Sequence, residues 1–290
     1  MTVYSRRAVT PSLAVLLCGL LLLIAFALAP APAAAQTLRI GVIPALTEGQ
    51  TRVGMNKLAA HLERELGMRV DLTVYADYAA VVEGLGFGHI DMAYLGPRTY
   101  VIANHRYGVR AILTQLINGQ PYYHSLFIAP ADSPLQSLEE LRGKTVAFAD
   151  PSSTSGSLIP KLALSRIGID WRRDLKPLHT GAHDATALAV QHRQVDAGAI
   201  DSAYFDILIK QGTIRADAFK IFWRSEPLFQ YPWAVRKDMD DGLIARIQRA
   251  FLTVQDEDIF AVFGASGFTV AHDSDYALIR EAAREFGDLD

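Results

Sequence analysis

Short apolar runs alternate with segments of helical periodicity along nearly the whole chain after residue 36. This alternation limits the fold more than any other feature. Residues 38–43, 70–75, 90–95 and 109–116 read as strands. Helices at 51–66, 78–85 and 98–105 fall between them, punctuated by Gly67, by Asp77 as a starting cap and by Gly96-Pro97. Asn118-Gly119-Gln120-Pro121 interrupts the pattern, and an extended run follows at 122–128. A second series then begins, with strands at 146–149, 175–178, 196–200 and 219–223 and helices at 158–167, 182–191 and 202–210. Another extended run, 231–235, leads to three closing helices at 238–251, 255–263 and 275–286. The expected class is α/β, with mostly parallel sheets flanked by helices and two lobes joined by two crossings. Lobe one takes residues 36–121 and 225–290, and lobe two takes 122–224. In such folds ligands bind beyond the carboxyl ends of the strands.

One strand-to-helix junction stands out. Asp150-Pro151-Ser152-Ser153-Thr154-Ser155-Gly156 follows the apolar run Val146-Ala147-Phe148-Ala149 and precedes a helical pattern. The first turn of a helix carries backbone N–H groups without partners, at the positive end of its dipole. Hydroxyls added there suit a tetrahedral oxyanion, and Gly156 would let a ligand approach the backbone. Plain helix capping explains one such residue, and the stretch supplies several. No G-x-x-x-x-G-K-[ST] pattern is present, so nucleotide hydrolysis is not indicated.

Residues 1–35 read as a cleavable export signal. Arg6 and Arg7 precede an apolar core at 13–28, and Ala33-Ala34-Ala35 offers the small-residue cleavage site. An uncleaved membrane anchor is the competing reading of the same run. The mature chain is expected to be exported. The single cysteine, Cys18, lies in that segment, so the mature chain would rely on its core rather than on disulfides. Without Arg6 and Arg7, 26 basic residues face 31 acidic ones, a net charge near −5. That balance speaks against nucleic acid as a partner, and it requires any anion site to be local, built from dipoles and hydroxyls.

Other candidate residues are open to more than one reading. His183, at a helix start in Gly181-Ala182-His183-Asp184, either donates to an oxyanion or caps and faces solvent. Asp201, at a strand end, either accepts from a protonated ligand, holds a ligand amine, or caps the helix beginning at Ser202. Tyr75, Tyr78, Tyr94, Tyr100, Tyr122, Tyr123 and Tyr231 can each pack a ring while offering a hydroxyl. Ser155, His183 and Asp184 are the residue types of a hydrolase triad, but adjacent helix residues diverge and no G-x-S-x-G elbow is present. The histidines are scattered without metal-ligand spacing, so neither a metal nor a cofactor is expected. An exported two-lobed α/β chain with an anion-binding turn looks more like a solute receptor than an enzyme.

Several stretches together resemble the phosphate, phosphite and phosphonate-binding periplasmic receptors of ABC transporters, within the class II periplasmic binding proteins. They are Asp77-Tyr78-Ala79, Ile90-Asp91-Met92-Ala93-Tyr94-Leu95-Gly96-Pro97, Tyr123-His124-Ser125, the Asp150–Gly156 turn, Gly181-Ala182-His183-Asp184-Ala185 and Val195-Asp196-Ala197-Gly198, with Gly267-Phe268 and Tyr276. The resemblance implies a Venus-flytrap fold. It also implies a head group gripped by Ser153, Thr154 and Ser155, with Tyr78, Tyr123 and His183 contributing, and a membrane permease as partner to a monomer. Relatives that bind aminoalkyl phosphonates hold the amine with acidic residues of the second lobe. Here that region reads Asp201-Ser202-Ala203-Tyr204 and Phe229-Gln230-Tyr231, which suggests phosphite, phosphate or a simple alkylphosphonate. The alternative function is an oxyanion-sensing module that signals to a membrane histidine kinase or other signalling partner.

Overall fold

The computed structural model describes residues 36–47 and 52–290. The expected signal segment at 1–35, and Glu48, Gly49, Gln50 and Thr51, lie outside the described residues. Residues Thr37–Asp290 form one compact unit built on two sheets. The first sheet joins β1 (Thr37–Val42), β2 (Arg69–Val74), β3 (Met92–Tyr94), β4 (Arg110–Leu116), β12 (Pro232–Val235) and β13 (Gly267–Val270), in the spatial order β13-β4-β12-β3-β1-β2. The second joins β6 (Ser125–Pro130), β7 (Thr145–Phe148), β8 (Lys176–His179), β9 (Ala197–Asp201) and β10 (Phe219–Arg224), in the order β10-β6-β9-β7-β8.

Pairing fixes the strand directions. β1 pairs parallel with β2 and β3, while β12 runs antiparallel to both β3 and β4, so four of the six strands point one way. In the second sheet β7 pairs parallel with β8 and β9, and β6 runs antiparallel to β9 and β10, so only β6 is reversed. The reversed β6 and β12 are the strands that enter each sheet from a crossing. Between the sheets, β5 (Tyr122–Tyr123) pairs antiparallel with β11 (Leu228–Phe229), so the two extended runs are hydrogen-bonded to each other.

In the second sheet β6, β7 and β9 are buried on both faces, while the edge strands β8 and β10 are more exposed, and alternation divides the buried side chains between two cores. Leu126, Ile128, Ala147 and Ile200 pack into the large core, while Phe127, Ala129, Val146, Phe148 and Ala199 pack into a smaller one with Leu164 and Trp171. That explains why β6, β7 and β9 read as continuous apolar runs rather than as alternating ones.

Local chemistry sets the helix ends. α1 spans Arg52–Leu66, and Gly67 follows at φ 62. α2 (Tyr78–Gly86) begins at Asp77, whose carboxylate accepts from the Ala80 N–H at 2.7 Å. α3 (Pro97–Tyr107) has proline at its first position. The helix expected at 158–167 starts differently. Thr154–Leu158 forms a π-helical turn capped by Ser153, and only then does α4 (Ile159–Arg166) run. The wide turn lets Leu158 N–H bond Ser153 C=O and Gly156 C=O accept from Ala149 N–H. Further on, α5 (His183–Gln191) and α6 (Ser202–Lys210) follow β8 and β9, and α7 (Asp241–Leu252), α8 (Glu257–Phe263) and α9 (Ala277–Phe286) close the chain.

Candidate anion-binding cleft

The carboxyl ends of the parallel strands of both sheets face one another. From the first sheet come the loop after β1 and the Leu95-Gly96 junction after β3. From the second come the hydroxyl turn after β7, the start of α5 and the end of β9. Hydrogen bonds join the two sides. Arg98 N–H donates to Thr154 Oγ1 at 2.8 Å, and His183 N–H donates to Ala45 C=O at 3.1 Å. Both Asp184 carboxylate oxygens accept from Thr47 N–H, at 3.1 and 3.2 Å, and the Thr47 hydroxyl adds a third bond. Tyr94 and Tyr204 hydroxyls stand 3.3 Å apart.

The turn itself is sealed from solvent. Ser153, Thr154 and Ser155 have at most 1 % exposure. Their oxygens have distinct duties. Ser153 Oγ accepts from Gly156 N–H at 3.1 Å as a helix cap, and Thr154 Oγ1 accepts across the cleft, so each keeps its hydroxyl proton to donate. Ser155 Oγ lies 3.4 Å from Asp201 Oδ2, while its carbonyl accepts from the Ser125 hydroxyl at 2.6 Å. Gly156 does not serve ligand approach. A Cβ there would stand 2.4 Å from Ala149 Cβ and 3.1 Å from His183 Cε1, so the missing side chain makes room for neighbouring protein atoms.

His183 is fully buried at the first position of α5, so the surface reading does not hold. Its Nδ1 accepts from Asp201 N–H at 3.4 Å, which leaves the proton on Nε2, 3.5 Å from the Tyr231 hydroxyl. Burial pushes its pKa down to about 3, so the ring is a neutral donor. Its face stacks on Tyr204 at 5.4 Å, and Tyr204, Tyr231 and Tyr123 continue the aromatic wall. Asp184 turns to Thr47 rather than to His183, so the triad arrangement is absent.

Asp201 performs the capping role and retains an oxygen for another. Oδ1 accepts from Ala203 and Tyr204 N–H at 2.7 and 3.1 Å, while Oδ2 faces Ser155. Burial pushes its pKa up to about 7 against the pull of the Tyr204 N–H, the Tyr231 hydroxyl, the Ala203 N–H and the Ser155 hydroxyl.

Tyr78 and Tyr123 bring the clearest unfilled valences. Both are at most 2 % exposed, and neither hydroxyl completes a well-formed hydrogen bond, although the Thr154 and Ser155 hydroxyls come close enough to Tyr123 to act on it. Desolvation holds both phenols well above their ordinary pKa, so they remain protonated donors. Tyr78 Cε1 and Thr154 Oγ1 both lie within 3.7 Å of the Cβ position at Gly96, and the Thr154 and Ser155 hydroxyls stand beside Tyr123. Arg98 borders the turn but is not free for a ligand: its guanidinium is held by Asp288 at 2.7 Å and donates to Pro151 C=O at 2.7 Å. The donor set is therefore neutral: hydroxyls, one imidazole N–H and helix-start amides.

Sequence reasoning singled out Tyr78, Tyr123, Ser153, Thr154, Ser155, His183 and Asp201, and all seven are buried here. It left out Tyr204, Ser125 and Thr47. Ser125 and Tyr204 lie within Tyr123-His124-Ser125 and Asp201-Ser202-Ala203-Tyr204, but their contacts have no local signal, since each of the three meets its partner across 30 to 137 residues. Among the described residues no group of three or more potential metal ligands occurs, and no helix is long and apolar enough to cross a membrane.

Comparison with known proteins gives a consistent picture. Residues 40–276 match the family model described as "ABC transporter, phosphonate, periplasmic substrate-binding protein". The chain is 30 % identical to the phosphate-import protein PhnD of Mycolicibacterium smegmatis over 80 % of its own length and 75 % of that protein's. It is 26 % identical to the phosphonates-binding periplasmic protein of Escherichia coli, over 88 % and 79 %. The methylphosphonate complex of PhnD1 from Prochlorococcus marinus superposes with a TM-score of 0.80 at 22 % identity, covering 88 % of this chain and 99 % of that one, which is a likeness of fold.

Proposed function

This chain belongs to the periplasmic substrate-binding proteins of phosphonate ABC transporters, and from that membership we propose that it captures phosphonate, phosphite or phosphate in the cleft for import. The observation that carries the proposal is the pair of buried, partnerless hydroxyls on Tyr78 and Tyr123 beside the Thr154-Ser155 turn. An unsatisfied buried hydroxyl costs about 1–3 kcal/mol, and an oxyanion between the lobes would relieve that cost twice over. Such a ligand would accept from Tyr78, Tyr123, Thr154, Ser155 and His183, with Ser153 holding the turn. Neutral donors in a water-excluded site bind an anion without a basic field.

Asp201 would set the choice among oxyanions. Its Oδ2 can accept the proton of a phosphoryl O–H, whereas sulfate and sulfonates carry no proton at neutral pH. The tyrosine walls favour a small ligand such as phosphite, phosphate or methylphosphonate over an aminoalkyl phosphonate. We take lobe one as 36–121 with 225–290 and lobe two as 122–224, hinged at the β5 and β11 pair, in a monomer whose signal is cleaved after Ala35. A membrane permease receives the ligand. Import rather than sensing is the role the family's transporters carry.

A thermal-shift series over phosphite, phosphate, methylphosphonate, aminoethylphosphonate, sulfate and ethanesulfonate tests this reading. Ligand at a hundred times Kd stabilises the folded form by about 2.7 kcal/mol. Stabilisation by phosphite, phosphate or methylphosphonate, with none from sulfate, is the expected pattern. Selective stabilisation by sulfonates, or by none of the six, would sink it.

A further inference from the structure

Behind the hydroxyl turn lies a cation that the site above does not use. Lys161 sits on α4 one turn after Ser157 and is 3 % exposed. Its ammonium donates to Ser157 Oγ at 2.7 Å and stands 3.5 Å from His179 Nε2. It also lies over the ring of Trp171, 3.9 Å from the centre, and over Phe148 at 4.9 Å. Among the described residues it makes no ion pair with a carboxylate; Arg98 and Arg166 are matched by Asp288 and Glu285, but Lys161 is not. A buried charge without a counter-charge is costly to keep.

Ser157 belongs to the same five-residue turn that offers Thr154 and Ser155 to the cleft. The ammonium is therefore anchored to the turn that offers the hydroxyls. We infer that Lys161 is a positioning and affinity-determining residue for the oxyanion, whose bound charge supplies the counter-ion that the lysine lacks in the protein. This rests on the reading of the cleft as an oxyanion site.

The electrostatic surroundings agree. Burial, then Arg98 on α3 and Arg172 on the loop after α4, lowers the Lys161 pKa to about 7, and the carboxylate of Asp150 opposes them weakly. His179, on β8, is itself held down, first by burial and then by Lys161, and Glu285 on α9 is occupied by Arg166. A cleft of about 450 Å³ that Lys161 lines with Trp171, Arg172 and Phe286 brings solvent up to the side chain. An anion in the turn favours the charged lysine, so binding raises the Lys161 pKa and takes up a proton. By linkage, affinity is greatest where the lysine is already charged, below pH 7, and declines as pH rises through 7. A unit charge acting through the turn at intermediate dielectric is worth on the order of tenfold in affinity.

The test compares wild type, Lys161→Met and Lys161→Arg by calorimetry with phosphite, methylphosphonate and inorganic phosphate at pH 6 and pH 9. The expected ratio of wild-type to Lys161→Met affinity is about tenfold at pH 6 and close to one at pH 9. Lys161→Arg should match wild type at pH 6 and exceed it at pH 9. Lys161→Met should melt no lower than wild type without ligand, because it removes an uncompensated buried charge. A ratio near one at both pH values overturns the inference. So does an equal loss at both pH values with a lowered unliganded melting temperature, which marks plain packing. If wild type binds none of the three anions, the import reading falls and this inference with it. Binding to wild type with no special behaviour of the variants removes this inference alone.

Discussion

Ser155 Oγ and Asp201 Oδ2 lie 3.4 Å apart in a corner where neither residue is exposed. Ser155 comes from the turn after β7 and Asp201 from the end of β9, 46 residues apart. A carboxylate so placed accepts a proton readily, and its pKa of about 7 expresses that. The Asp201 pKa is raised above its unfolded value near 3.9, so ionising it costs stability as pH rises from about 4 to 7. Asp201→Asn should therefore raise the unliganded melting temperature at pH 8 and change it little at pH 4. The ceiling is about 4 kcal/mol, three pKa units at 1.36 each. A thermal melt at the two pH values checks this, and lower stability at pH 8 would contradict it.

The same substitution should change selectivity. Once ionised, above about pH 7, Asp201 can only accept, whereas an amide in its place can donate to a deprotonated oxyanion. Asp201→Asn should weaken phosphite or methylphosphonate by about ten- to a hundredfold while sulfate binding appears, since a buried charged hydrogen bond is worth about 1.5–3 kcal/mol. Competition calorimetry with sulfate reads both changes.

His183 has the opposite dependence. Its pKa is lowered from 6.5 to about 3 by burial, so the folded state binds fewer protons than the unfolded chain between those values. Stability contributed by the neutral ring is complete above about pH 6.5 and is lost as pH falls toward 3. His183→Gln should remove this part of the acid-limb slope in a urea titration from pH 7 to pH 4. It should also weaken anion binding at pH 7, where the lost group is a neutral donor. An unchanged acid limb would mean that the ring gains solvent in the native state.

Much of this candidate site was legible in the chain because its parts are local. The Ser153-Thr154-Ser155 run announces itself by its excess of hydroxyls after an apolar strand, and the helix start at His183 by its setting. What was not legible depends on contacts between lobes. Nothing near Asp184 in sequence shows that Thr47 holds it, and nothing near Gly156 shows that Ala149 and His183 occupy its empty side. The π-turn also escaped, since periodicity at 158–167 fixes the helix but not the wider turn that opens it. The reversed strands followed only from pairing, because β6 and β12 are apolar runs like their parallel neighbours.

The Thr47 and Asp184 contact predicts a kinetic effect. It joins the loop after β1 to α5, with Asp184 2 % exposed, and so helps to hold the lobes together. Asp184→Asn should leave encounter with ligand unchanged and speed its release several-fold, since interactions made only in the closed form act on dissociation. Glu285→Gln, which breaks the exposed Arg166 pair, serves as the control and should change neither rate. Stopped-flow tyrosine and tryptophan fluorescence separates the two constants.

The Tyr78 and Tyr123 hydroxyls make the sharpest distinction between binding and structure. A buried tyrosine kept for packing would have its hydroxyl bonded, as Tyr100 does to Asp273 at 2.8 Å and Tyr276 does to Gln230 C=O at 3.0 Å. Tyr78 and Tyr123 have no such partner, so their hydroxyls cost stability in the unliganded protein. Tyr78→Phe and Tyr123→Phe should each raise the unliganded melting temperature, by roughly 2–4 °C for about 1 kcal/mol in a chain of this size. Each should also weaken anion binding by about tenfold or more. Tyr276→Phe, which strands a buried carbonyl, should lower the melting temperature instead. The opposite signs are the decisive feature: if Tyr78→Phe and Tyr123→Phe destabilise as Tyr276→Phe does and leave affinity unchanged, these hydroxyls are structural and the ligand lies elsewhere.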